Sequence, residues 1–141
     1  MARILIDLPE TPFFRTEIPL YVQHINHGKH LDNAQLVALV GECRSRFLKH
    51  LGYSGGDVEG LAYVVADVAV QYKSEAFYPE VLILEMTPMD FHKYGCDLVF
   101  RATESVTGRE VARGKQGIIF IDPAARKVAE VPAPFKARFE G

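Results

Sequence analysis

Residues 21–52 read YVQHINHGKHLDNAQLVALVGECRSRFLKHLG: a short polar loop dense in histidine, then one long apolar helix. The rest of the chain reads as strand after strand. A single helix among many strands must be what the sheet wraps, because nothing else covers so much apolar strand surface.

Local signals agree on the helix. Asp32 is a good N-cap, since its carboxylate can accept from the unpaired amides of the first turn. Gln35 sits three residues on, so Asp32-x-x-Gln35 is a variant of the capping box. Leu36, Val40, Cys43, Phe47 and Leu51 fall at alternating steps of four and three, which is one face of a helix. Gly52 is a C-terminal stop, and Lys49 and His50 suit the negative end of the dipole. Residues 34–40 are apolar nearly all round, which predicts burial on every side. Glu42, Arg44, Arg46 and Lys49 make the second half amphipathic.

Upstream, residues 15–23 read as a first strand, limited by Pro19 to an edge or a strand start. Residues 1–14, with Pro9, Pro12, Phe13 and Phe14, read as an extended arm. Downstream, residues 61–73 alternate, with Val64, Ala66, Val68, Val70 and Tyr72 on one face. Further strands are predicted over 81–89, 96–103 and 109–121. Pro88 suggests a bulge or an edge in the first, and Thr107-Gly108 a hairpin turn before the last. Residues 131–141 read as a second extended arm. The opposite sheet face keeps Tyr, Val and Ala among polar residues, which suggests partial cover by another subunit.

At 141 residues, 48% hydrophobic and 24% charged, the chain has the composition of one soluble globular domain, residues 1–141 with a core over 15–122. A net charge of -2 gives no field to draw nucleic acid. No apolar run reaches membrane-spanning length, and MARILIDLPE lacks a signal-peptide core. A cytoplasmic location is expected, with no membrane partner. Cys43 and Cys96 lie among apolar residues and read as buried thiols.

In this order of elements the chain resembles the hotdog fold, an α+β fold of an antiparallel sheet of five or so strands around one long central helix. It is most similar to acyl-CoA thioesterases of the 4-hydroxybenzoyl-CoA thioesterase type, over roughly residues 15–122. Gly28-Lys29-His30-Leu31-Asp32-Asn33 resembles the family's Gly-His run that opens the helix, with one extra residue between glycine and histidine. Glu42-Cys43-Arg44-Ser45-Arg46-Phe47-Leu48-Lys49-His50-Leu51-Gly52 resembles its E-A-R-x-x-F-L-x-x-L-G helix. Gln71-Tyr72-Lys73-Ser74-Glu75-Ala76, then Tyr78-Pro79-Glu80-Val81-Leu82, resemble its strand end and restart. Gly108-Arg109-Glu110-Val111-Ala112-Arg113-Gly114 resembles its last hairpin.

Thioester hydrolysis needs donors aimed at the carbonyl oxygen and a nucleophile or general base. The free amides of a helix start supply the first. The resemblance places the oxyanion amide near Asn33, with Gly28, His30 and Asp32 around the substrate. The family's usual catalytic Asp falls at Asn26, which cannot act as a base, and an upstream Asp is replaced by His24. Asn26 could still position a water. Glu42 is one candidate base, since a second hotdog branch uses a helix Glu. His24 or His27 is another, because imidazole titrates near neutral pH. Asp32 is engaged as the cap, and Glu42 could simply pair with Arg46 at i,i+4.

The spacing of His24, His27 and His30 raises zinc. Gly28 and the strand upstream argue against a shared helical face, so no metal is expected. The resemblance makes His30 a packing residue that bonds loop backbone. No cofactor is implied; coenzyme A enters as part of the substrate. Lys115, or Arg126 with Lys127, could meet its phosphates, and Tyr72, Phe77 and Tyr78 could line its channel. The implied partners are an acyl-CoA or acyl-carrier-protein thioester and a second copy of the chain, as a homodimer or a homotetramer of two dimers. The alternatives are a non-catalytic acyl-CoA-binding hotdog protein, which Asn26 favours, and a dimerisation module with no ligand.

Overall fold

The structure is a computed structural model and describes residues 3–140. Of the two predicted arms, Met1, Ala2 and Gly141 lie outside the described residues. The elements run β1 (Phe14–Pro19), a 3-10 turn (Val22–His24), α1 (Asn33–His50), β2 (Ala62–Tyr72), β3 (Val81–His92), β4 (Gly95–Glu104), β5 (Glu110–Asp122), β6 (Lys127–Val128) and α2 (Ala133–Ala137). All strands join one antiparallel sheet in the order β1-β3-β4-β5-β2, with β6 paired to β5.

The helix forms where its local signals place it. Asp32 Oδ2 accepts from the Ala34 and Gln35 amides at 3.0 and 3.2 Å. Gly52, at φ 96°, takes the left-handed turn that ends the helix. Leu36, Leu39, Val40, Cys43 and Phe47 are buried against Leu82, Leu84, Met86, Leu98, Phe100, Ile118 and Phe120 of the sheet. Burial on every side does not occur. Ala34 and Ala38 are exposed, because the sheet covers only one side of α1. Burial also pushes the Cys43 and Cys96 thiols up to about 12, so neither is a thiolate near neutral pH.

Three further expectations are corrected. The first strand stops at Pro19, and residues 22–24 turn as a 3-10 helix whose cap amide, Tyr21 N–H, donates to His24 Nδ1. In β2 the alternation breaks at a bulge between Val65 and Asp67. Val65 lies opposite Ile118 and Val68 opposite Gln116, on the helix side. Val64, opposite Ile119, faces outward, and Ala66 is the extra residue. The tail is not an extended arm: β6 and α2 form, and Phe135 of α2 is fully buried against Phe120 and Phe139. The outer sheet face is covered in part by the chain's own N-terminal segment. Ile6 is 6% exposed there, its amide donates to Gln71 Oε1 at 3.3 Å, and its carbonyl accepts from Arg113 Nη1 at 3.2 Å.

Pro88 is accommodated simply. It lies in β3 beyond Met86, where pairing with β1 ends, so its missing N–H costs no ladder bond on that side. The strand then bulges between Met89 and His92, with Asp90 at φ 52°.

Candidate active site

The loop that feeds α1 closes on itself. Asp32 N–H donates to the His24 carbonyl, Asn26 N–H to the His30 carbonyl and Lys29 N–H to the Asn26 carbonyl, at 2.9, 3.0 and 3.0 Å. The Asn26 side chain is part of this turn: its Oδ1 accepts from Gly28 N–H at 2.9 Å. Gly28 is small for a reason. A Cβ there would meet His30 Nε2 at 3.0 Å and Asn26 Oδ1 at 3.3 Å. The loop is then tied to the segment after β2, because Leu31 N–H donates to the Ala76 carbonyl at 2.8 Å.

Between the start of α1 and the end of β2 lies a cavity of about 280 Å³, lined among others by His30, Asp32, Asn33, Leu36, Tyr72 and Glu75. Three of the four first-turn amides of α1 are occupied. Ala34 and Gln35 N–H bond the Asp32 carboxylate, and Leu36 N–H bonds its carbonyl. Asn33 N–H has no partner among the described residues, so the positive end of the helix presents one free donor at this cavity. Tyr72 spans the cleft, its hydroxyl donating to the Asn33 carbonyl at 3.0 Å. Partial burial, and then the Asp32 charge, push its phenol up, so it stays a neutral donor.

His30 has a defined orientation. Its Nδ1 sits 3.1 Å from the Leu31 carbonyl, which can only accept, so Nδ1 carries the proton in the neutral ring and Nε2 keeps its lone pair. Nε2 lies 4.0 Å from Glu75 Oε1. The backbone at Glu75 is anchored on both sides. Arg109 Nη2 donates to the Glu75 carbonyl at 3.0 Å and to Glu80 Oε1 at 2.9 Å. Ser74 Oγ donates to the Glu110 carbonyl at 2.7 Å. Behind Arg109, the Glu104 carboxylate accepts from Val106 N–H, Thr107 N–H and Thr107 Oγ1 at 2.8–2.9 Å, which holds it down at about 2.

The remaining sequence candidates lie elsewhere. Glu42 and His24 line a separate groove of about 360 Å³ between α1 and β1. Glu42 is ion-paired with Arg46 at 2.8 Å, and His24 is buried with Nδ1 accepting from Tyr21 N–H. His27 is exposed on the loop, and Tyr78 is exposed beyond Ala76. Lys115 projects from the outer face of the sheet, opposite Val99 and Ala69, and pairs with Asp97 at 3.3 Å. Among the described residues, no group of three His, Cys, Asp or Glu is placed to hold a metal ion. In the sequence, Glu75 and Arg109 stand inside the strand-end and hairpin motifs with no local sign of a place at the site. Their link to His30 and Glu80 spans gaps in the chain that no local pattern reports.

An antiparallel sheet wrapped on one long helix, with an open cavity and polar side chains at the helix start, defines the class of fold. The model of the Thioesterase-like superfamily matches residues 21–139, and the chain belongs to that family. No curated protein matches it in sequence. Among solved structures it is similar to the 1,4-dihydroxy-2-naphthoyl-CoA thioesterase from Synechocystis, with a TM-score of 0.80 and 16% identity over 89% of this chain and 94% of that one. It is similar to the DHNA-CoA thioesterase from Staphylococcus aureus, with a TM-score of 0.77 and 20% identity over 88% and 85%. The 12:0-ACP thioesterase from Umbellularia californica gives a TM-score of 0.76 and 14% identity over 88% of this chain and 51% of that one. The fold is therefore the hotdog fold. Among the described residues, no helix is long and apolar enough to cross a membrane.

Proposed function

We propose that the protein is an acyl-CoA thioesterase, with the thioester carbonyl oxygen held at the start of α1. The observation that carries this reading is the Asn33 amide. It is the one first-turn donor that Asp32 leaves free among the described residues, and Asn33 is a residue of the cavity wall. A donor fixed at a helix start costs no reorganisation as negative charge develops on the oxygen. The solved relatives named above act on CoA or acyl-carrier-protein thioesters, which supports the same substrate class here. A non-catalytic acyl-CoA binder is the second reading, favoured by Asn26, whose side chain carries no charge and is spent on its own turn.

The working unit in this reading is a homodimer joined through β2. That strand is the sheet edge, eleven residues long, with Val64, Val65 and Val68 exposed. A long apolar edge of this kind is a template for pairing with another strand. A mass of one chain by light scattering at working concentration would remove the dimer.

The test of function is hydrolysis of short, long and aromatic acyl-CoAs, followed by free thiol release, alongside melting temperature with each ligand. Turnover with any member is the expected result. Stabilisation without turnover would select the binder, and neither would leave the fold alone.

A further inference from the structure

Resting on the thioesterase reading, we propose that Glu75, paired with His30, holds and activates the attacking water and so takes the place of the carboxylate missing at Asn26. Four observations converge. The cavity at the start of α1 is lined by two carboxylates, Asp32 and Glu75. Asp32 is committed to the Ala34 and Gln35 amides. Glu75 lies at the mouth, 62% exposed, with its carboxylate facing His30 Nε2 at 4.0 Å. That separation suits a shared water: a molecule donating both protons through bonds of about 2.8 Å spans acceptors roughly 4 to 4.5 Å apart. The Leu31 carbonyl holds the imidazole proton on Nδ1, so the Nε2 lone pair is the one turned to Glu75.

The pair is preorganised by groups outside the cleft. Arg109 grips the Glu75 carbonyl and Glu80 together, and Ala76 is bonded to Leu31, the neighbour of His30. A catalytic group mounted on a backbone fixed at both ends keeps its geometry without help from substrate.

The water oxygen attacks the thioester carbon and its proton passes to His30 Nε2. The carbonyl electron pair moves onto oxygen, against Asn33 N–H. The Glu75 carboxylate balances the imidazolium charge. The intermediate reforms C=O, the C–S bond breaks with its electron pair on sulfur, and the thiolate takes the proton back from Nε2. Acyl-CoA and water become a carboxylic acid and coenzyme A.

The experiment compares wild type, Glu75→Gln, Glu75→Ala and Arg109→Lys on the best acyl-CoA of the panel. Glu75 is exposed, so its variants should melt with the wild type. Glu75→Gln should lower kcat about 100-fold or more with KM within a few-fold. Added formate should restore part of the turnover of Glu75→Ala, which a purely structural role would not allow. Arg109→Lys, acting through backbone position, should lower kcat less than Glu75→Gln. Turnover of Glu75→Gln within threefold of wild type overturns the assignment and leaves the thioesterase reading standing. No turnover by the wild type overturns both.

Discussion

The two ends of α1 are closed by opposite means. At the C-terminal end, Phe47 is ringed by Phe13, Phe14 and Phe139 at centroid distances of 5.9, 5.7 and 5.8 Å. Phe135 packs against Phe120 at 5.6 Å and Phe139 at 5.0 Å. Both terminal segments of the chain converge there, and Phe47 and Phe135 are fully buried among their rings. At the N-terminal end, no cluster of aromatic rings among the described residues covers the helix start, and Tyr72 spans the cleft to bond the Asn33 carbonyl. Asp32 consumes two of its amides, Asn33 keeps one, and His30, Tyr72 and Glu75 stand around an open cavity. Aromatic burial at one end supplies stability, in the edge-to-face and tilted geometries that add to plain area burial. The other end can then keep polar groups that are held in place yet not mutually satisfied. An unused donor and a partly buried histidine contribute little to folding, and in the proposed reaction they supply the oxyanion contact and the base.

The contrast can be broken from either side. Truncating the aromatic cluster should give the largest change. Phe135→Ala removes a fully buried ring and should cost about 3–5 kcal/mol in urea unfolding. Turnover per folded molecule should stay near wild type well below the melting temperature. A proportional loss of kcat in the folded protein would show that the two ends are coupled.

At the cleft the pattern should invert. Gly28→Ala places a methyl 3.0 Å from His30 Nε2, and the ring must swing to admit it. A fall in kcat of about tenfold is expected, since a small misplacement of a reacting group is felt strongly. The unfolding midpoint should move little, because the loop is at the surface and Gly28 is not held at a positive φ. An unchanged kcat would remove His30 from the reaction.

The subtlest effect is on pH. Glu104 folds with its carboxyl held down at about 2, below the ordinary range, by Val106 and Thr107 N–H and the Thr107 hydroxyl. The unfolded chain binds that proton first, so its contribution is complete above about pH 4.5 and is lost as pH falls toward 2. The gap in melting temperature between wild type and Glu104→Gln should therefore shrink across that window. A gap that stays constant from pH 6 to pH 3 would show that the carboxylate charge is not what holds the hairpin behind Arg109.

Much of this was legible in the chain because its causes are local. The Asp32 cap, the four-three spacing down to Leu51 and the Gly52 stop act within a few residues, and α1 forms where they place it. The alternation from Cys96 to Ala102 likewise gave β4. For Lys115 the period of two along β5 holds the answer. Gly114, Gln116, Ile118 and Phe120 face the helix, so residue 115 must face away. The β2 bulge was hidden because Val64, Val65 and Ala66 are apolar in any register.

By itself the sequence determined the helix, its ends, the number of main strands and the family signature that runs through them, since these depend on propensity, capping and period. It determined too that an uncharged side chain, Asn26, stands where the resemblance puts an acid. Only the tertiary structure decided what stands in that acid's neighbourhood. Glu75 meets His30 through a strand crossing, an arginine clamp from β5's approach and a backbone bond from Leu31 to Ala76. Contacts between residues 45 apart follow from how the sheet closes on the helix, and no local pattern in the chain encodes them.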